Sequence, residues 1–303
     1  MSFFDVFQEM LVILFGMAMG YLANRLGYLG GETDQKLSKI ILNITMPCLI
    51  VASVATGDEL PGAAEILSVL KVAAVFYGME LLLSAVVPRL LGSTDKQKGV
   101  WRYPLVFPNM AFIGYPVAVA RFGPEALFYA VILVLPFNLL AYSLGPLRLA
   151  GRAKFRWQQL TSPCIKASVI ALVVALGHIR LPAILGECAG FVGNLTTPLS
   201  LLVVGSLLAG LSVGKVFASP RLWALTAVRL LVLPALLWLL LGWMNVEPPM
   251  VAGIAVILMA MPTAVNGSML SMEYGGDTEC MAQITFLTTL VSIITIPVVS
   301  ALL

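Results

Sequence analysis

The chain has 303 residues, of which 60% are hydrophobic and 11% charged, and its net charge is +3. Soluble domains average about 25% charged residues, so this composition excludes a soluble protein and predicts a polytopic membrane protein. Its basic residues cluster between apolar runs rather than on a stripe, giving no support to a nucleic-acid partner.

Apolar runs long enough to cross roughly 30 Å of hydrocarbon fall at about 4–24, 37–56, 66–91, 103–120 and 126–147. Five more follow at about 160–179, 191–213, 220–244, 249–272 and 279–303. They predict an all-α membrane protein of ten spans joined by short loops. The first run carries Asp5 and Glu9 and no basic flank, so it is expected to be a retained span rather than a cleaved signal peptide.

In the second run Asn43 stands four residues before Pro47. The third contains Glu80, the acid set deepest in an apolar stretch, AVFYGMELLLSAVV. An ionisable group at that depth is a candidate for H⁺ or Na⁺ coupling. The competing reading is a structural ion pair with Arg229 of the eighth run.

The fourth run holds FPNMAFIGYP, Phe107 to Pro116. Pro108 and Pro116 each lack the N–H a helix needs, and their rings clash with the preceding turn. Asn109 adds a polar amide and Gly114 a flexible backbone position. Broken helix at membrane depth is tolerated only inside protein or beside a wet cavity. The fifth run is interrupted by Pro136 and Asn138.

The longest polar loop, 148–159, lies at the midpoint, and His178, the single histidine, falls near the end of the sixth run. It reads as an interfacial ring or as a pH switch. Asn194 stands four residues before Pro198 in the seventh run, as Asn43 does before Pro47. The ninth holds a second interruption, MAMPTAVNG, with Pro262, Asn266 and Gly267. Two interrupted spans at corresponding places in two halves point to a transporter's binding site.

The halves echo each other in order. Asn43–Pro47 matches Asn194–Pro198 at an offset of 151, Pro146 matches Pro297 at 151, and Arg121–Glu125 matches Glu273–Asp277 at 152. We therefore divide the chain into five-span repeats, 1–150 and 151–303, inserted in opposite directions. With the N-terminus outside, only Lys71, Arg121 and Arg180 of the 18 Lys and Arg face outward, leaving 18 − 3 = 15 on the cytoplasmic side. The positive-inside rule thus puts both termini on the non-cytoplasmic face of a cell membrane.

The four cysteines, Cys48, Cys164, Cys188 and Cys280, show no C-x-x-C spacing and are read as apolar packers rather than a disulfide or metal framework. No H-E-x-x-H, G-x-S-x-G or Walker loop appears, so neither an enzyme nor a nucleotide-driven pump is expected.

FPNMAFIGYP resembles the Pro-Asn…Gly-x-Pro signature in the fourth span of the auxin efflux carrier family. MPTAVNGSMLSMEYGGD, the Thr-rich span behind it (Thr285, Thr288, Thr289, Pro297) and PLSLLVVGSLLAGL resemble that family's ninth, tenth and seventh spans. The short midpoint loop is similar to bacterial members. The resemblance implies a 5+5 inverted repeat with broken, crossing fourth and ninth helices and transport of small organic anions, malate- or malonate-like or auxin-like. It also implies elevator-type motion of a crossover subdomain against a scaffold, each drawn from both halves, often in a homodimer. A sodium-coupled symporter of larger amphipathic anions and a membrane ligand sensor are the alternatives. No cofactor is expected beyond a coupling H⁺ or Na⁺.

Two broken helices meeting near the midplane would offer half-helix N-termini of roughly +0.5 charge each, able to hold a carboxylate without a buried cation. The fourth and ninth runs contain no basic residue between 103 and 120 or between 249 and 272. Asn109, Gly114, Pro116, Pro262 and Asn266 are the candidate site residues. Asn43 and Asn194 are further candidates, or polar glue between packed spans.

Overall fold

The computed structural model describes residues 3–55, 63–93, 98–123, 125–126, 129–130, 132–134, 136–137, 140–141, 163–177, 179, 181–210 and 213–303. The midpoint loop, Asn138, Pro146 and His178 lie outside the described residues. Among the described residues the fold is helical without strands, apart from one isolated antiparallel bridge.

In the first half the helices with described bounds are α1 (Phe3–Arg25), α2 (Gly31–Ile40), α3 (Met46–Ala55), α4 (Ala63–Leu90), α5 (Lys98–Val106) and α6 (Tyr115–Phe122). The second half gives α7 (Pro163–Leu176), α8 (Ala183–Gly193), α9 (Thr196–Ala209), α10 (Val213–Phe217), α11 (Pro220–Ala227) and α12 (Leu233–Met244). It closes with α13 (Pro249–Met259), α14 (Asn266–Tyr274) and α15 (Thr278–Leu302). Among the described residues, five stretches are long and apolar enough to cross a membrane: Gly31–Ala52, Glu65–Leu90, Ala183–Ala209, Pro220–Met244 and Thr278–Leu302.

Proline explains where the helices widen. Among the described residues, three π-helical turns, Ile41–Thr45, Met110–Gly114 and Val228–Val232, each end two residues before a proline: Pro47, Pro116 and Pro234. A proline ring collides with the carbonyl four residues back, which here belongs to Asn43, Phe112 or Leu230, inside the widened turn. One extra residue per turn moves that carbonyl aside and leaves the helix continuous.

The packing follows two groups. Helices α1 and α3 lie against α9, α8 and α7, while α4 lies against α5, α12 and α13. Contacts of α15 with α1 and of α2 with α14 join them. Lipid tails are as apolar as leucine, so close backbone approach is what holds such spans together. Gly20 and Gly205 supply it between α1 and α9, where a Cβ on Gly205 would run into the Met17 carbonyl and one on Gly20 into that of Leu202.

Beside that seam Asp34, almost wholly buried, accepts from the Ser206 hydroxyl at 2.7 Å and from the Gly30 N–H at 3.0 Å. Asn24 donates to Ser206 at 2.9 Å. The carboxylate thereby ties α2 to α9 directly and, through Ser206, to Asn24 of α1.

Candidate functional site

Helix α5 stops at Val106 and α13 at Met259, each just ahead of a proline-bearing stretch. The two stretches lie side by side. The Asn109 N–H donates to the Pro262 carbonyl at 2.7 Å, and the Ala264 N–H donates to the Phe107 carbonyl at 2.9 Å. Pro108 and Thr263 form the antiparallel bridge between them.

This register suits the sequence. In an antiparallel pair the two bonds flank a non-hydrogen-bonded position, which Pro108 occupies, so its missing N–H costs nothing. The Thr263 N–H, unused by the pairing, donates to the Thr288 hydroxyl of α15 at 3.2 Å. Backbone groups freed by helix breaking need partners where water is absent, and each break supplies them to the other.

From the paired stretches, helix resumes at Met110 in the first half and at Asn266 in the second. Asn109 and Asn266 therefore stand where helix restarts, only 4% and 3% exposed. Tyr103, one turn before the first break, donates its hydroxyl to Asn266 Oδ1 at 3.0 Å. Among the described residues, the hydroxyls of Thr263, Ser268 and Ser271 are buried without a hydrogen-bond partner, leaving unspent capacity beside the second break. Thr285, Thr288 and Thr289 send their own hydroxyls back to α15 carbonyls.

The two break glycines face side chains of the opposite broken span. A Cβ on Gly114 would lie 2.6 Å from Leu258 Cδ2, and one on Gly267 would lie 2.5 Å from Tyr103 Cε1. Each glycine therefore lets the opposite broken span come close. Pro262 supplies the accepting carbonyl, and Pro116 stands in the first turn of α6.

Asn43 and Asn194 are placed elsewhere. Asn43 sits exposed in the first π turn and donates to the Lys39 carbonyl of its own helix at 2.8 Å. Asn194 is exposed at the end of α8. The structure does not bring either to the paired breaks.

Glu80 and Arg229 meet. Arg229 Nη1 lies 3.1 Å from Glu80 Oε1, with both side chains fully buried. Its other donors reach the broken end of α13: Nε to the Met261 carbonyl at 3.1 Å and Nη2 to the Met259 carbonyl at 2.6 Å. A guanidinium suits the end of a helix, where unpaired carbonyls carry partial negative charge. Sequence reasoning offered Arg229 as a partner for Glu80 but missed this contact with the break. It missed Tyr103 as well, since nothing in a single sequence pairs residues 163 apart.

A cavity of about 250 Å³ lies apart from these residues, walled by Leu14, Met17, Ala18, Tyr21, Leu208, Val216 and Phe286. Its lining is apolar and offers nothing that would hold an anion.

The sequence matches the family described as "Membrane transport protein" over residues 5–155 and 148–300. An "Uncharacterized transporter" of Methanothermobacter thermautotrophicus is 22% identical over 307 residues, covering 100% of both chains. An uncharacterized transporter of Methanocaldococcus jannaschii is 24% identical over 301 residues, covering 94% of this chain and 95% of the relative. A Rhizobium meliloti protein named "Putative malonate transporter" is 22% identical over 295 residues, covering 92% and 89%. With both ends of the chain matched and its broken spans carrying the motifs described above, the protein belongs to this membrane transport family, the auxin efflux carriers.

Proposed function

We propose that this protein is a secondary or potential-driven carrier of small organic anions, of the malonate or malate class or auxin-like acids, and that the paired breaks hold the carboxylate. The observation that carries this reading is the reciprocal bond pair, Asn109 N–H to Pro262 and Ala264 N–H to Phe107. It sets two helix starts beside each other, each with an asparagine at its head. Helix N-termini attract anions through oriented N–H groups and the dipole, and asparagine amides add donors. The name of the Rhizobium meliloti relative favours a dicarboxylate.

In our reading the chain is a ten-span inverted repeat whose fourth and ninth spans cross at these breaks. The two packing groups, residues 3–55 with 163–209 and 63–122 with 220–302, are the natural scaffold and moving body of an elevator. Asn109 and Asn266 are almost closed off, so the anion reaches them when the bodies shift. Both termini lie outside the cytoplasm on this reading, as the basic loops require.

Purified protein in proteoliposomes, offered labelled malonate, malate and an indole acid with pH, Na⁺ and voltage varied separately, tests the proposal. Saturable uptake of at least one of the three is expected. Saturable binding with no flux would overturn it in favour of a ligand sensor. Uptake restricted to bulky amphipathic anions and dependent on Na⁺ would replace it with a sodium symporter.

A further inference from the structure

We propose that Arg229 and Glu80 are positioning residues for the anion site: Arg229 clamps the broken end of α13 through the Met259 and Met261 carbonyls, and Glu80 cancels its charge so that bound anion can leave. The inference rests on the carrier reading above.

Three observations support it. First, the guanidinium spends Nε and Nη2 on main-chain carbonyls of residues 259 and 261, and Nη1 on Glu80. The next residue along, Pro262, accepts from Asn109. One peptide unit thus separates the clamp from the pairing of the breaks, and the clamp sets where that carbonyl stands.

Second, Arg229 is buried within the π turn Val228–Val232, which ends two residues before the proline at 234. The cation comes from one helix and Glu80 from α4, and both reach the end of α13. Third, the pair is fully buried, and only one carboxylate oxygen of Glu80 is engaged; Oε2 has no partner among the described residues. A carboxylate placed only to anchor the arginine would be expected to use both oxygens in a bidentate fork. Its full negative charge, by contrast, is needed whichever oxygen touches the cation.

An unbalanced arginine this close to an anion site would bind the anion too well. Two unit charges roughly 10 Å apart at an effective dielectric near 20 interact by an amount that changes an equilibrium on the order of tenfold. Carriers need release as well as capture, and a neutral pair leaves the attraction to the helix starts and amides.

Two substitutions separate clamp from charge. Glu80→Gln keeps an acceptor for Nη1 and removes the negative charge. Arg229→Lys keeps the charge and loses the fork that spans two carbonyls. Initial rates of labelled malonate uptake in proteoliposomes, or of malate or the indole acid should wild type prefer one, give KM and maximal rate. Thermal melts in detergent report folding. For Glu80→Gln we expect KM to fall about tenfold together with the maximal rate. For Arg229→Lys we expect KM to rise several-fold.

KM moving in opposite directions cannot come from loss of stability alone. Equal or raised KM in Glu80→Gln overturns the charge-balance role, and unchanged KM in Arg229→Lys overturns the clamp. If Glu80→Gln does not fold, Arg229→Lys decides, with unchanged KM sinking the proposal. Wild-type protein that takes up none of the three anions overturns the carrier reading itself.

Discussion

Asn109 and Pro262, 153 residues apart in the chain, are joined by a 2.7 Å backbone hydrogen bond in which the N–H of one helix break meets the carbonyl of the other. With its counterpart between Ala264 and Phe107, this bond makes one structural object of two interruptions that each look like a defect. The expected outcomes below follow from that object and from the groups that brace it.

Removing the Tyr103 hydroxyl isolates one brace. Tyr103→Phe leaves the ring against Gly267 and deletes the donor to Asn266 Oδ1. A single neutral hydrogen bond is worth about 0.5–1.5 kcal/mol, so KM for the transported anion should rise about threefold to tenfold, beyond any modest fall in melting temperature. Uptake kinetics of the variant in proteoliposomes check this, and an unchanged KM would mean that Asn266 is held by other contacts.

The two break glycines should differ in tolerance. An added methyl at Gly114 meets the far end of Leu258, which can swing away. At Gly267 it meets the Tyr103 ring as well as the tip of Met281, and the ring is rigid and hydrogen-bonded. Overpacking of this kind costs about 1–3 kcal/mol. Gly267→Ala should therefore lower the melting temperature and uptake clearly more than Gly114→Ala does, and the reverse order would contradict the packing described.

Asp34 offers a test of the fold away from the breaks. Asp34→Ala strands the buried Ser206 hydroxyl, at about 1–3 kcal/mol for an orphaned buried group, and frees the half-buried Gly30 N–H. The melting temperature should fall while KM stays near the wild-type value. A changed KM with unchanged stability would assign Asp34 to the transport pathway instead.

Much of this architecture was legible in the chain. Membrane character follows from composition, and both interruptions announce themselves because proline inside an apolar run removes a bond that lipid cannot replace. Glu80 and Arg229 were legible as candidate partners, since an acid and a base inside apolar runs each call for an opposite charge. The register of the breaks was not legible, because backbone pairing leaves no residue signature beyond a proline at a non-bonded position. Asn43 and Asn194 illustrate the limit in the other direction. Their spacing before a proline resembles the site motif, yet Asn43 is exposed and bonds the Lys39 carbonyl of its own helix, and Asn194 is exposed at a helix end. The neighbours of Gly114 and Gly267, Leu258 and Tyr103 on the opposite broken span, were likewise not legible, because they lie far away in sequence.

The most direct test of the central claim is the initial rate of labelled anion uptake at subsaturating concentration by Asn109→Ala and Asn266→Ala in proteoliposomes, with folding confirmed by thermal melts. Hydrogen bonds to a charged group are worth about 1.5–3 kcal/mol each, so each variant should lose on the order of tenfold or more of the wild-type rate, chiefly through KM. Wild-type kinetics in both folded variants would contradict the assignment of the paired breaks as the anion site.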